Sequence, residues 1–218
     1  MDIRSHSIRH YRVIPAMMIM IVLMLLQPTF LLTAGGIAIQ HDQQEESLIP
    51  LLLDSGQTFC QEAQLKYIVW SEELDRQIAI EKILKSSGLT WHKEILCDYS
   101  GNTALKYSTQ RTVTREAEKE YYKRYNTLCD MLNNSKTKVY LEERIEEVIN
   151  IQEFYAHYDI KMIDMNVMPV LSSYAGYSER IPYNLQVGES RIAIQGITKS
   201  ACDQAKTIIA LPALFEEI

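Results

Sequence analysis

The sequence predicts an α+β fold behind a membrane anchor: an N-terminal transmembrane helix, then a long helix and a helical hairpin packed with a small antiparallel sheet and a C-terminal helix. Three observations lead there. Residues 13–39 carry no formal charge over 27 consecutive positions, long stretches within residues 57–157 place apolar side chains at helical steps, and the last third alternates apolar with polar side chains.

The first twelve residues hold Arg4, Arg9 and Arg12 and read as a cytosolic basic tail. Residues 13–39 follow as the anchor, since a bilayer core of about 30 Å takes roughly 20 helical residues. The next basic residue is Lys66, preceded by Asp42, Glu45 and Glu46, so the positive-inside rule places the N-terminus in the cytosol and the rest across the inner membrane. A cleaved signal peptide, with Leu32-Thr33-Ala34 before the cut, is the competing reading, and it exports the same residues. Residues 40–56 are a polar juxtamembrane spacer, and 57–218 form the exported domain. Its charge is acidic, because the whole chain carries 22 Lys+Arg against 28 Asp+Glu for a net −6 and the basic tail is lost from that count. With no long basic run, nucleic acid is not expected as a partner.

Each element of the exported domain has its own signal. Phe59, Ala63, Tyr67, Trp70, Leu74, Ile78 and Ile83 predict a helix over 57–85, ended by Ser86-Ser87-Gly88. Residues 89–99 read as extended. Val113, Ala117, Tyr121, Tyr125, Leu128 and Leu132 predict a second helix capped by Thr112 or Thr114, and Asn133-Asn134-Ser135 links it to a third over 139–157. That third helix buries Leu141, Ile145, Val148 and Tyr155 and solvates Glu142, Glu143, Glu146 and Glu147, which completes the helical hairpin. Ile163, Met165 and Val167 predict a strand, and 183–187 with 191–195 a hairpin about Gly188-Glu189-Ser190. Gly196 then stops the strand, and Thr198 or Ser200 caps a helix running to about Ala210, with Ser200-Ala201-Cys202-Asp203 as a capping box.

Cys60, Cys97, Cys129 and Cys202 all fall on the exported side, and an even count there reads as two disulfides. A helix of about 39 Å after Cys60 and an extended return of about 36 Å bring Cys97 back beside it, leaving Cys129 for Cys202. Cys60 with Cys129 and Cys97 with Cys202 is the alternative. No paired-cysteine spacing suits a metal, so no metal and no cofactor are expected. Phosphate loops, zincin motifs and nucleophile elbows are missing, which leaves His92 and His157 as the only domain histidines for base chemistry.

From Tyr183 to Ala210 the order is strand, tight turn, strand, Gly196-Ile197-Thr198, then a helix with Cys202 in its first turn. This resembles the C-terminal part of bacterial type IVb pilins and minor pilin-like proteins. There a strand runs into a Gly-Ile/Leu-Thr/Ser stretch that begins a helix, and the Cys four positions on is pinned by a disulfide. Gly196, Ile197, Thr198 and Cys202 carry the match. The chain departs from the family in lacking a Gly-led, Glu-bearing processing site near Ile14 and any Cys after Cys202. The resemblance therefore implies an unprocessed pilus- or secretion-associated component rather than a main filament subunit.

The expected function is that of a non-enzymatic, membrane-anchored structural or interaction protein of the cell envelope. Its partners are other subunits of a pilus, secretion or conjugation apparatus, with the bilayer contacted through residues 13–39. Two alternatives from other classes are an exported hydrolase using His92 or His157, and a periplasmic binding or chaperone-like domain released by cleavage.

Overall fold

A computed structural model describes residues 48–97, 101–201 and 204–215. The predicted basic tail, anchor and most of the spacer lie outside the described residues. Among the described residues, no helix is long and apolar enough to cross a membrane.

The domain is dominated by strands. In chain order they are β1 (Glu62–Ser71), α1 (Gln77–Ser86), β2 (His92–Cys97), β3 (Thr103–Thr114), α2 (Arg115–Leu132), β4 (Thr137–Ile145) and α3 (Ile151–His157). There follow β5 (Lys161–Val167), β6 (Leu171–Tyr177), β7 (Leu185–Val187), β8 (Ser190–Ile192), β9 (Ile194–Ala201) and β10 (Gln204–Leu211). Eight strands form one sheet in the order β2-β3-β1-β4-β10-β9-β6-β5, every neighbouring pair antiparallel; β7 and β8 form a separate small hairpin.

The expected small sheet is replaced by these eight strands, and three predicted helices are corrected by the same architecture. The first was expected over 57–85, but Ala63, Leu65, Tyr67, Val69 and Ser71 are buried in alternation on β1, and only Gln77–Ser86 is α-helical. Ala63 and Tyr67 satisfy a period of two and a four-residue step alike, and the β-branched and aromatic run Tyr67–Trp70 favours the strand. The second correction removes the helical hairpin. Thr137–Ile145 is strand β4, with Val139, Leu141, Glu143 and Ile145 facing inward, and α3 starts only at Ile151. Asn150 caps that helix by accepting from the N–H groups of Gln152 and Glu153. The third is the C-terminal helix: Thr198 and Ser200 lie in β9, and β10 continues through Ala210.

Other expectations hold. The helix over the second period is α2; Thr114 stands at its N-cap position but its side chain makes no capping hydrogen bond. Residues 92–97 are extended, the strand at Ile163–Val167 is part of β5, and Gly188 turns the β7–β8 hairpin at φ +59°, a conformation in which a side chain is strained.

Helices α1, α2 and α3 pack on one face of the sheet and enclose the main core. Leu65, Tyr67 and Val69 of β1, Leu105 and Tyr107 of β3, and Val139 and Leu141 of β4 meet Ile80 and Leu84 of α1, Tyr122, Tyr125 and Leu128 of α2, and Phe154 of α3. Gly196 lets α3 approach β9 closely: a Cβ there would lie 2.8 Å from Ile151 Cγ2. The segment at 48–55 closes this side, with Leu52 and Leu53 fully buried and Tyr158 donating to the Leu51 carbonyl at 2.7 Å.

Candidate functional site: the open face of the sheet

Strand alternation sends the other half of the side chains to the face without helices. Gln64, Lys66, Ile68 and Trp70 of β1 stand there beside Lys138, Tyr140, Glu142 and Arg144 of β4. Lys206, Ile208 and Ala210 of β10 and Gln195, Ile197 and Lys199 of β9 extend the array, and His92, Glu94, Lys106 and Ser108 border it on the β2 side. Ile68, Ile208 and Ile197 are buried here, outside the main core, beneath the longer side chains around them.

The face concentrates cations in a chain whose net charge is −6. Lys199 and Lys206 are direct cross-strand partners, a like-charge juxtaposition that costs stability. Burial, with the charges of Arg144 and Lys199, holds the Lys206 ammonium below its ordinary pKa. Glu94 ties Lys106 at 3.1 Å, so the surface mixes signs instead of presenting a uniform basic stripe.

An aromatic slot lies in the middle of this face. Trp70 and Tyr140 project from adjacent strands, and after Pro212 the chain turns back so that Phe215 packs against both rings, with centroids 5.4 Å and 5.0 Å away. Lys106 Nζ stands 6.0 Å from the Phe215 ring centre. Beside the slot runs a groove of about 580 Å³ whose lining includes Trp70, Leu96 and Ala104 and carries both a carboxylate, Glu72, and an ammonium, Lys136.

The opposite side of the sheet holds a second cluster that the sequence reading missed. Glu143 and Glu118 are both fully buried and face each other, Tyr122 donates to Glu143 Oε2 at 2.8 Å, and the Leu53 N–H donates to Glu118 Oε1 at 2.9 Å. Burial first, then the charge of Glu118, drives the Glu143 pKa well above the ordinary carboxylate range. A neutral Glu143 donating its proton to an ionised Glu118 satisfies both oxygens that otherwise face each other without a donor. The expected solvated row of glutamates is corrected at Glu142 and Glu143, while Glu146 is exposed as expected. Glu143 is in the core, Glu142 is buried on the open face, and Glu147 accepts from the Thr58 hydroxyl and the Phe59 N–H.

Cys60 and Cys97 do not meet as expected, and the pairing of Cys129 with Cys202 falls outside the described residues. Cys60, Cys97 and Cys129 are free thiols. Cys97 pairs with Thr103 at one end of β3, whereas Cys60 precedes Glu62, which pairs with Thr114 at the other end, about 36 Å away at roughly 3.3 Å per residue. A disulfide needs Cα atoms within about 7 Å, and the helix that was to carry the chain out and back is absent. Cys60 Sγ lies 3.5 Å from Glu147 Oε2. Cys129 is buried on α2, its thiol pushed up to about 12 by burial. Cys202 lies outside the described residues. Gly196, Ile197 and Thr198 sit in the body of β9, so the helix start implied by the pilin resemblance is not formed there.

His92 is exposed on the edge strand with Nε2 3.5 Å from Glu94, and His157 ends α3 edge-on to the Tyr158 ring at 4.7 Å. Among the described residues, no group of three or more His, Cys, Asp or Glu side chains could hold a metal ion. No family model matches the chain, and no curated protein matches it significantly.

Proposed function

We propose that this chain is a membrane-anchored interaction protein of the cell envelope, held in the inner membrane by residues 13–39, whose extracytosolic domain docks partner subunits of an envelope assembly on the open face of its sheet. A pilus, secretion or conjugation apparatus is the class of assembly meant. The observation that carries the reading is the open face itself. The helices cover the middle of one side of the sheet, while the other keeps Lys199 opposite Lys206 and the Trp70–Tyr140 slot at the surface. Cations interspersed with acids and aromatic rings suit a protein partner, because interfaces are enriched in aromatics and complementary charge steers and orients the partner. The pilin resemblance adds a direction for the search, and the uncharged N-terminal segment supplies the location.

Photocrosslinking in living cells tests this. A photoreactive residue at position 138 or 199 should give discrete adducts with an envelope-assembly subunit identified by mass spectrometry, and one at the exposed helix position 119 should not. Equal adducts from both faces, or adducts from position 119 alone, would contradict the reading.

A further inference from the structure

The segment at 48–55 closes the helix side of the domain without joining the sheet. Clips hold it at two points: the Leu48 N–H donates to the Arg180 carbonyl at 2.9 Å, and Tyr158, just beyond α3, donates to the Leu51 carbonyl at 2.7 Å. Past these clips the chain turns at 52–54 over the Glu118–Glu143 pair. The Leu53 N–H donates to Glu118 Oε1 at 2.9 Å, the N–H groups of Leu52 and Asp54 also act on Glu118, and that of Leu52 acts on Glu143 as well. Successive backbone N–H groups turned toward one carboxyl form an anion-binding concavity, so the segment is a strap seated on the pair itself.

Beneath the strap, Glu118 Oε2 and Glu143 Oε1 are buried with no donor among the described residues. A proton on either carboxyl lets one donate to the other; with none, two carboxylates face each other in the core. The titratable groups around them bring no cation: Tyr122 of α2, Tyr67 of β1 and Tyr158 are phenols, and Asp54 on the strap is a further carboxyl. Burial holds all three phenols above the ordinary tyrosine range, so the second carboxyl of the pair ionises before they do. Neither element that carries the pair yields locally. β4 is hydrogen-bonded between β1 and β10, and α2 is fixed by Tyr122, Tyr125, Leu128 and Leu132 in the core. The strap has no such ladder, and its opening admits water to the pair. We infer that residues 48–55 are a pH-sensitive strap, shut over Glu118 and Glu143 while at least one of them is protonated and released when both are ionised. The burial of Leu52 and Leu53 keeps it shut until then. Because the pair binds its proton more tightly with the strap shut, closure is complete below the ordinary carboxylate range and is lost as pH rises through the raised pKa. Release frees up to about 26 Å of extended chain ahead of β1, at roughly 3.3 Å per residue. In sequence this stretch belongs to the spacer between the predicted anchor and the domain, so release lengthens the tether on which the domain is held.

Hydrogen–deuterium exchange of the full chain, read by mass spectrometry between about pH 5 and 9 and corrected for the intrinsic rise of exchange with pH, tests this. Peptides covering 48–55 should lose protection at least tenfold across that range, while peptides from β1 and β4 keep theirs. Glu143→Gln cannot ionise and should hold the strap's protection level throughout. Tyr158→Phe removes the clip on Leu51 and leaves the pair in place, so its strap should reach the same exchange at lower pH. Should Glu143→Gln fail to fold, the unmodified chain and Tyr158→Phe carry the same test. Strap protection that does not change with pH would overturn the inference. So would equal losses in the strap and in β1, which would mean that the whole domain loosens. A strap that still opens with pH in a folded Glu143→Gln chain, or one whose exchange Tyr158→Phe leaves unmoved, would overturn it too.

Discussion

Glu143 on β4 and Glu118 on α2 face each other in the core, with Tyr122 donating to Glu143 and the Leu53 N–H to Glu118, and burial raises the pKa of both carboxyls. The pair joins the sheet, the longest helix and the closing segment at residue 53. Because Glu143 binds its proton more tightly folded than unfolded, its contribution is complete below the ordinary carboxylate pKa of about 4.5. It falls as pH rises from there through the folded pKa.

Glu143→Gln keeps an acceptor for Tyr122 and a donor for Glu118 while removing the titration. Its stability relative to the unmodified chain should therefore grow with pH above about 4.5, by up to about 1.4 kcal/mol per pH unit. Thermal melts from pH 5 to 9 check this; parallel curves for the two proteins would mean that no proton is shared.

Thr207, fully buried on β10, donates to the Glu147 carbonyl at 2.7 Å and accepts from the Ile149 N–H at 3.1 Å. Thr207→Val strands both backbone groups and should cost about 1–3 kcal/mol in urea unfolding, with Thr207→Ser much closer to the original. An indifferent Thr207→Val would dissociate this threonine from the β4–α3 connection.

Gly196→Ala drives a methyl into Ile151 and should cost about 1–3 kcal/mol. Ile151→Ala relieves the clash, so the double variant should lose less stability than the two single losses combined. Strict additivity would show that α3 does not seat on β9 at this point.

Thiol labelling followed by peptide mapping reads the sheet register. Cys97 is exposed and should label in the native protein, whereas the buried Cys129 should wait for denaturant. A Cys60–Cys97 disulfide peptide would contradict the register of β1, β2 and β3.

Where one periodicity fitted, the sequence was readable: α2 and β5 lie where the pattern places them, and the Gly188 turn does too, although its hairpin is shortened to Leu185–Val187 with Ser190–Ile192 and residues from Ile194 join the main sheet. Where two periodicities shared residues, the helical one misled. Ala63 and Tyr67, and Leu141 and Ile145, are four apart and therefore also even steps along a strand. Tertiary pairing decided those cases, since β1 lies hydrogen-bonded between β3 and β4. The carboxyl pair was hidden for the same reason. Glu143 sits in a Glu-Glu-Arg-Ile-Glu-Glu run that reads as solvated, and only its alternation with Val139, Leu141 and Ile145 points inward. The open-face site joins β1, β4, β9, β10 and the Leu214-Phe215 segment across the sheet, and local spacing does not encode such pairings.

The cross-strand pair Lys199–Lys206 gives the most direct test of the docking role, because reversing both charges inverts the surface while keeping a like-charge pair, and reversing one relieves the repulsion. Lys199→Glu with Lys206→Glu inverts the face, and Lys206→Glu alone creates an opposite-charge pair that should hold or raise the melting temperature. The measurement is the yield, in cells, of the partner adduct formed from a photoreactive residue at position 138. The account predicts that the double reversal, at unchanged protein level, lowers that yield at least tenfold. An undiminished yield would contradict the assignment of the open face as the partner-docking surface.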